Sequence, residues 1–143
     1  MTEEQNKIIK YLKTAFYMEK KINALISLKS RNEAIACKCT AKYEKIPHHQ
    51  STSGKSNTDT VIHKIIDIDI QISAEIDKLV DIRADIFKAI KSLENPDLEA
   101  VLINRYLNYF TLDKTAEVMH YSLASVKNKH NSAIKRLAEI ILI

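Results

Sequence analysis

Between His120 and Ala138 the chain carries Lys127, Lys129, Lys135 and Arg136, no Asp or Glu, and two asparagines, Asn128 and Asn131. Cations of this kind meet phosphate oxygens. The amide of Asn matches the donor and acceptor on the edge of adenine, so these residue types suit duplex DNA. A helix that turns Val126, His130, Ala133, Ile134 and Leu137 inward points Ala124, Lys127, Asn128, Asn131 and Lys135 outward. Ser122 is placed to cap that helix. Upstream, Ala116 is small where two helices would cross, His120 takes the turn and Tyr121 is its apolar residue, the spacing of a helix-turn-helix. His120 stands where glycine is usual and must accept a left-handed backbone. The expected DNA-binding set is therefore Lys127, Asn128 and Asn131 at base edges, with Ser122 and Ala124 at the same end. Lys114, Lys129, Lys135 and Arg136 are expected on phosphates.

Other reactive side chains point nowhere as strongly. Cys37 and Cys39 lie two apart, about 200° around a helix, so they cannot chelate together without unwinding it. With His48 and His49 they make only a crude zinc set, and neither a metal nor a cofactor is expected. Asp77, Asp81 and Asp85 share a helix face, but exposed heptad flanks are commonly this acidic. No nucleophile, base and orienting group fall at a spacing that assembles a triad, so an enzyme is not expected.

The elements that position the basic face follow from composition. The chain has 143 residues, with 22 Lys and Arg against 18 Asp and Glu, but one Gly and two Pro. A β-rich fold or a phosphate-cradling loop needs more glycines, so the expected class is all-α. Residues 3–46 read as one amphipathic helix that stops before Ile46-Pro47. Residues 47–57, holding the only glycine, read as a loop. From Thr58 or Asp59 a second helix reaches Leu93. Its apolar residues Ile65, Ile68, Ile72, Ile76, Leu79, Ile82, Ile86, Ile90 and Leu93 recur at a mean step of about 3.5, a coiled-coil period. Residues 1–57 carry 11 basic and 5 acidic side chains, and 58–95 carry 5 and 8, so the two arms are complementary in charge. A long antiparallel hairpin over 1–95 is expected, followed by a three-helix unit over 96–143. The unit's first helix is expected at about 97–107, its second from Thr111 or Asp113 to near His120, and its third from Ser122 toward Ile140. The tail Ile140-Ile141-Leu142-Ile143 is apolar on all sides and is expected to pack on the hairpin or in a dimer interface. The start MTEEQNKIIKYLK has no secretory pattern and no uncharged stretch reaches a membrane-spanning length, so a cytoplasmic protein with no membrane partner is expected.

The segment NPDLEAVLINRYLNYFTLDKTAEVMHYSLASVKNKHNSAIKRL resembles the fourth conserved region of bacterial sigma factors. Arg105-Tyr106 ends its first helix, Thr115-Ala116-Glu117 lies in the second, and Val126-Lys127 and Ala133-Ile134-Lys135-Arg136-Leu137 lie in the third. Over the whole chain, the heptad arm, the Ser/Gly loop, the phrase AEIDKLVDIRADI and the MHYS turn are similar to small phage-encoded regulators of Gram-positive hosts. These are the sigma-like, ArpU- and RinA-type proteins and a related family of unassigned function. The resemblance implies a transcription regulator in a host bacterial cell that binds double-stranded promoter DNA. It places residues 123, 124, 127 and 128 near bases; Leu123 and Ala124 are apolar there, so readout leans on Lys127, Asn128 and Asn131. The hairpin has no aromatic cluster for flipped bases, so a complete sigma factor is not expected. Two alternatives remain: an adaptor that holds RNA polymerase or a host factor, and a phage packaging or structural coiled-coil protein. The hairpin is also a candidate surface for a homo-oligomer.

Overall fold

The computed structural model describes residues 1–44 and 57–141, with side chains for 1–38 and 59–141. These residues form an all-α protein with no strand among them: α1 (Glu3–Leu12), α2 (Thr14–Glu44), α3 (Asn57–Lys91), α4 (Pro96–Leu102), a π turn (Ile103–Leu107), α5 (Leu112–Met119) and α6 (Leu123–Ile141). The loop expected at 47–57 lies outside the described residues, except that Asn57 already belongs to α3. The last two residues of the apolar tail, Leu142 and Ile143, lie outside them as well.

The helix expected over 3–46 is broken at Lys13. Thr2 opens α1, its hydroxyl accepting the Gln5 amide at 3.2 Å, with Glu3 and Glu4 favourable in the first turn. At the break the Thr14 hydroxyl donates to the Lys10 carbonyl at 3.2 Å, a back-bond of the kind that bends helices. The amphipathic pattern runs across Lys13 undisturbed, which is why periodicity alone reads one helix.

The chain divides into two compact units that differ from the expected halves, 1–95 and 96–143. One unit takes residues 1–19 together with 78–143, and the other takes 20–77. The reason is burial. In the first unit α6 packs on α1, α4 and α5. Leu12, Ile86, Ile90, Leu93, Ile134 and Leu137 are all wholly buried there. The ends of the chain thus share one core, and the division falls inside α2 and α3.

In the second unit the Lys21 ammonium lies 3.4 Å from Glu75, and Lys29 lies 2.7 Å from Asp69. The partner numbers fall on one arm as they rise on the other, so these stretches of α2 and α3 run antiparallel. Of the heptad residues in this unit Ile72 is buried, whereas Ile76 is 40% exposed; Leu79, Ile86, Ile90 and Leu93 are buried within the first unit.

Asn95 caps α4 and Pro96 is its first residue, the Asn95 side-chain oxygen accepting the amides of Asp97 and Leu98 at 3.1 and 3.3 Å. The helix expected to reach 107 is α-helical only to Leu102 and then widens. The Asn108 amide bonds the Ile103 carbonyl, five residues back, at 2.9 Å. Tyr106 and Leu107 are buried in that turn. Tyr109 follows with φ 60°, a left-handed conformation uncommon for an aromatic residue.

Candidate nucleic-acid interface

The pairing of α5 with α6 is built from local signals. Thr111 opens α5: its hydroxyl accepts the Lys114 amide at 3.1 Å, and its carbonyl accepts the hydroxyl of buried Thr115 at 2.9 Å. The helix closes on His120, at φ 59° and ψ 38°. The His120 amide donates to Glu117 at 3.3 Å and the Tyr121 amide to Ala116 at 3.0 Å, the two bonds of a Schellman cap. Histidine therefore occupies the left-handed position foreseen for it. Ser122 then starts α6, its hydroxyl accepting the Ser125 amide at 3.1 Å. Ala116 and Val126 are buried together with Val101, and Leu112 and Met119 pack on them.

With this core set, α6 divides by face. Val126, His130, Ala133, Ile134, Leu137 and Ala138 are buried. Ala124, Lys127, Asn128, Asn131, Lys135 and Arg136 are exposed, and the first five fall in one stripe. Among the described residues, Lys127, Lys135 and Arg136 have no acidic partner and Asn128 has no hydrogen bond. Their donors face solvent.

Two of the expected contacts, Lys129 and Ser122, are already engaged inside the protein. Lys129 does not stand free for phosphate: its ammonium lies 3.5 Å from Asp97 Oδ2 and 5.0 Å from the centre of the Tyr121 ring. The Tyr121 hydroxyl donates to Asp97 Oδ1 at 3.1 Å. Lys129, Tyr121 and Asp97 thus fasten the turn and α6 to the start of α4. Sequence reasoning missed this because Asp97 reads as a helix-start acid, and nothing local shows what faces it. Lys114 is exposed and reaches Glu117 only at 4.0 Å, a contact worth little at a surface. The Ser122 hydroxyl accepts in the cap and keeps its own proton and a second lone pair.

Asn131 is also shared. The Tyr106 hydroxyl lies 2.6 Å from His130 Nε2, and His130 Nδ1 lies 3.4 Å from Asn131 Oδ1. Burial is the largest influence on His130 and pushes its pKa down, partly opposed by the Asn131 contact, with Arg105 and Lys13 lowering it further. Burial also pushes the Tyr106 phenol up to about 12. A neutral imidazole satisfies every atom: Tyr106 donates to Nε2, and Nδ1–H donates weakly to Asn131. The Asn131 oxygen is thereby drawn back toward the protein, which leaves Lys127 and Asn128 as the best-presented pair on the stripe.

Among the described residues no group of three His, Cys, Asp or Glu side chains gathers as a metal site. Cys37 is exposed; the side chain of Cys39, and His48 and His49 altogether, lie outside the described residues. No helix of the described residues is long and apolar enough to cross a membrane. Comparison with protein-family models, curated proteins and solved structures finds no match.

Proposed function

We propose that this protein is a DNA-binding transcription regulator of the kind phages encode, reading promoter DNA with α5 and α6 as a sigma-like helix-turn-helix. The single observation that carries the reading is the exposed stripe of α6, where Lys127, Asn128 and Lys135 project from a helix whose opposite face is wholly buried. In this reading α6 enters the major groove, Lys127 and Asn128 meet base edges, and Lys135 and Arg136 hold phosphates. Lys129 sets the angle of α6 through Asp97 rather than touching DNA.

Selection from randomised duplex DNA at about 150 mM salt, where non-specific phosphate attraction is weak, tests this directly. An enriched motif is expected. Asn128→Ala should relax preference at one position, whereas Lys135→Ala should weaken all sequences alike and flatten the salt dependence. An unenriched pool would defeat the reading. Retention of RNA polymerase by such a preparation would favour the adaptor instead, a reading to which the exposed Val118, Tyr121 and Ala124 lend an apolar surface.

The hairpin's proposed partner is a second copy of itself. Ile62, Ile66 and Ile70 repeat every fourth residue and are 44%, 48% and 62% exposed. Residues 20–44 carry six basic and two acidic side chains, and 57–77 carry one and five. One copy's α2 beside another's α3 therefore matches charge while covering the isoleucines. Sedimentation equilibrium should show a dimer that Ile66→Ser with Ile70→Ser dissociates; a monomer at all concentrations would remove this partner, and a ring or larger assembly would favour the packaging reading.

A further inference from the structure

The first unit holds a cavity of about 220 Å³ lined by Lys13, Phe16, Tyr17, Arg105, Tyr106, Tyr109 and Thr111. Several unusual backbone features meet at its wall. The break after α1 supplies Lys13, the π turn supplies Arg105 and Tyr106, and the left-handed residue that follows the turn is Tyr109. π turns and strained residues cluster at binding sites, and here both face one hollow.

The lining has two chemical parts. Phe16 and Tyr109 meet with ring centres 5.5 Å apart and planes tilted by 57°, Phe16 and Tyr17 edge-on at 5.6 Å and 63°, giving an angled aromatic wall. Beside them stand two cations. Arg105 gives one hydrogen bond to the Phe110 carbonyl at 3.2 Å and lies over the Tyr106 ring, 5.5 Å from its centre, with guanidinium donors left over. Among the described residues neither Lys13 nor Arg105 has an acidic partner. Their field is felt nearby, since both depress the His130 pKa after burial has done so. A third cation, Arg83, donates to the Tyr109 hydroxyl at 2.7 Å. The opposing carboxylate is Glu19, which together with burial pushes the Tyr109 phenol up. The charged side chains that line the cavity itself, Lys13 and Arg105, are both cations.

We propose that this cavity binds a small planar aromatic carboxylate, its ring against Phe16, Tyr17 and Tyr109 and its carboxylate toward Lys13 and Arg105. The volume admits one ring and a short polar group rather than a nucleotide. The apolar walls supply the affinity for a flat body, and the two unpaired cations supply the preference for an anion. Tyr106 forms part of the same wall and reaches His130 of α6 through its hydroxyl, so an occupant touches a residue bonded to the proposed reading helix. The binding itself requires no DNA, so its failure and the failure of the DNA reading are separate results.

The test is an amide-detected NMR titration of the full chain with sodium benzoate, up to about 10 mM because so small a ligand is expected to bind at millimolar to sub-millimolar strength. Shifts should saturate and concentrate at Lys13–Tyr17 and Arg105–Thr111. Benzamide, with the same ring and no charge, should bind about tenfold more weakly, and Lys13→Gln should weaken benzoate by a similar factor. The benzamide comparison uses the unaltered protein, so it holds even where a variant folds poorly. Shifts that fail to saturate, map elsewhere, or are equal for benzoate and benzamide would overturn the proposal. Inorganic phosphate competing as strongly as benzoate would show a bare anion site and overturn it as well.

Discussion

Residues 1–19 with 78–143 enclose a core in which Leu12, Ile86, Ile90, Leu93, Ile134 and Leu137 lose all contact with water, whereas residues 20–77 bury Ile22 and Ile72 and expose Ile26, Leu28, Ile35, Ile62, Ile66, Ile70 and Ile76. Both regions are helical and similarly rich in isoleucine and leucine. They differ in the number of elements that meet. Parts of six helices converge in the first unit, so apolar faces find cover from several directions. Two antiparallel stretches can cover only the strip where they touch, and the remaining faces stay in water. Apolar content alone therefore says little about stability; what counts is how many elements share the surface. The same contrast separates the proposed roles, a rigid mount for α6 on one side and an uncovered face open to a second copy on the other.

The contrast can be broken most sharply at Leu12. This residue lies in the first helix, yet it is wholly buried within the unit that holds α6. Leu12→Ala should cost about 2–5 kcal/mol and lower the melting temperature of the C-terminal helices with it. A melt unchanged in the circular-dichroism signal would show that α1 is not part of that core. Thr111→Ala removes the cap of α5 and should cost about 1 kcal/mol, read from the same melts.

The next effect is one of pH. His130 has its pKa lowered in the folded protein by burial, so the unfolded chain binds its proton first. His130 therefore contributes no penalty above the unfolded imidazole value of about 6.5, and stability falls as pH drops below it toward the lower folded pKa. His130→Gln should remove this part of the acid loss, visible as a shallower dependence of melting temperature between about pH 7.5 and 5.5. Equal slopes for both proteins would mean that the imidazole is not held neutral. Least of all, Ile66→Ser and Ile70→Ser should each change the stability of a monomer by no more than about 0.5 kcal/mol, because both residues are exposed already. A large loss in dilute denaturant titrations would show that this face is covered within one chain.

Much of the candidate interface is legible from local order. Thr111 and Ser122 announce their caps by residue type, and each accepts the backbone amide three residues on. The inward set of α6 follows from a period of 3.6 and is buried throughout. His120 takes the left-handed position because the cap requires one there and the next helix begins soon after it. Lys129 shows where such reading stops. On a helical wheel it flanks the basic stripe, but Asp97 and Tyr121 claim it, and that depends on where α4 lies.

The all-α class, the starts of α5 and α6 and the division of α6 into a buried and an exposed face are legible from local order, because these depend on neighbours within a few turns. Long-range packing set the rest: α1 belongs with α6, the end of α4 widens into a π turn, and Tyr106 meets His130. The last two residues are 24 apart in the chain and bond only because separate helices bring them together. A repeating pattern states which face of a helix seeks cover, but which other face supplies it is settled by the packing of the whole core.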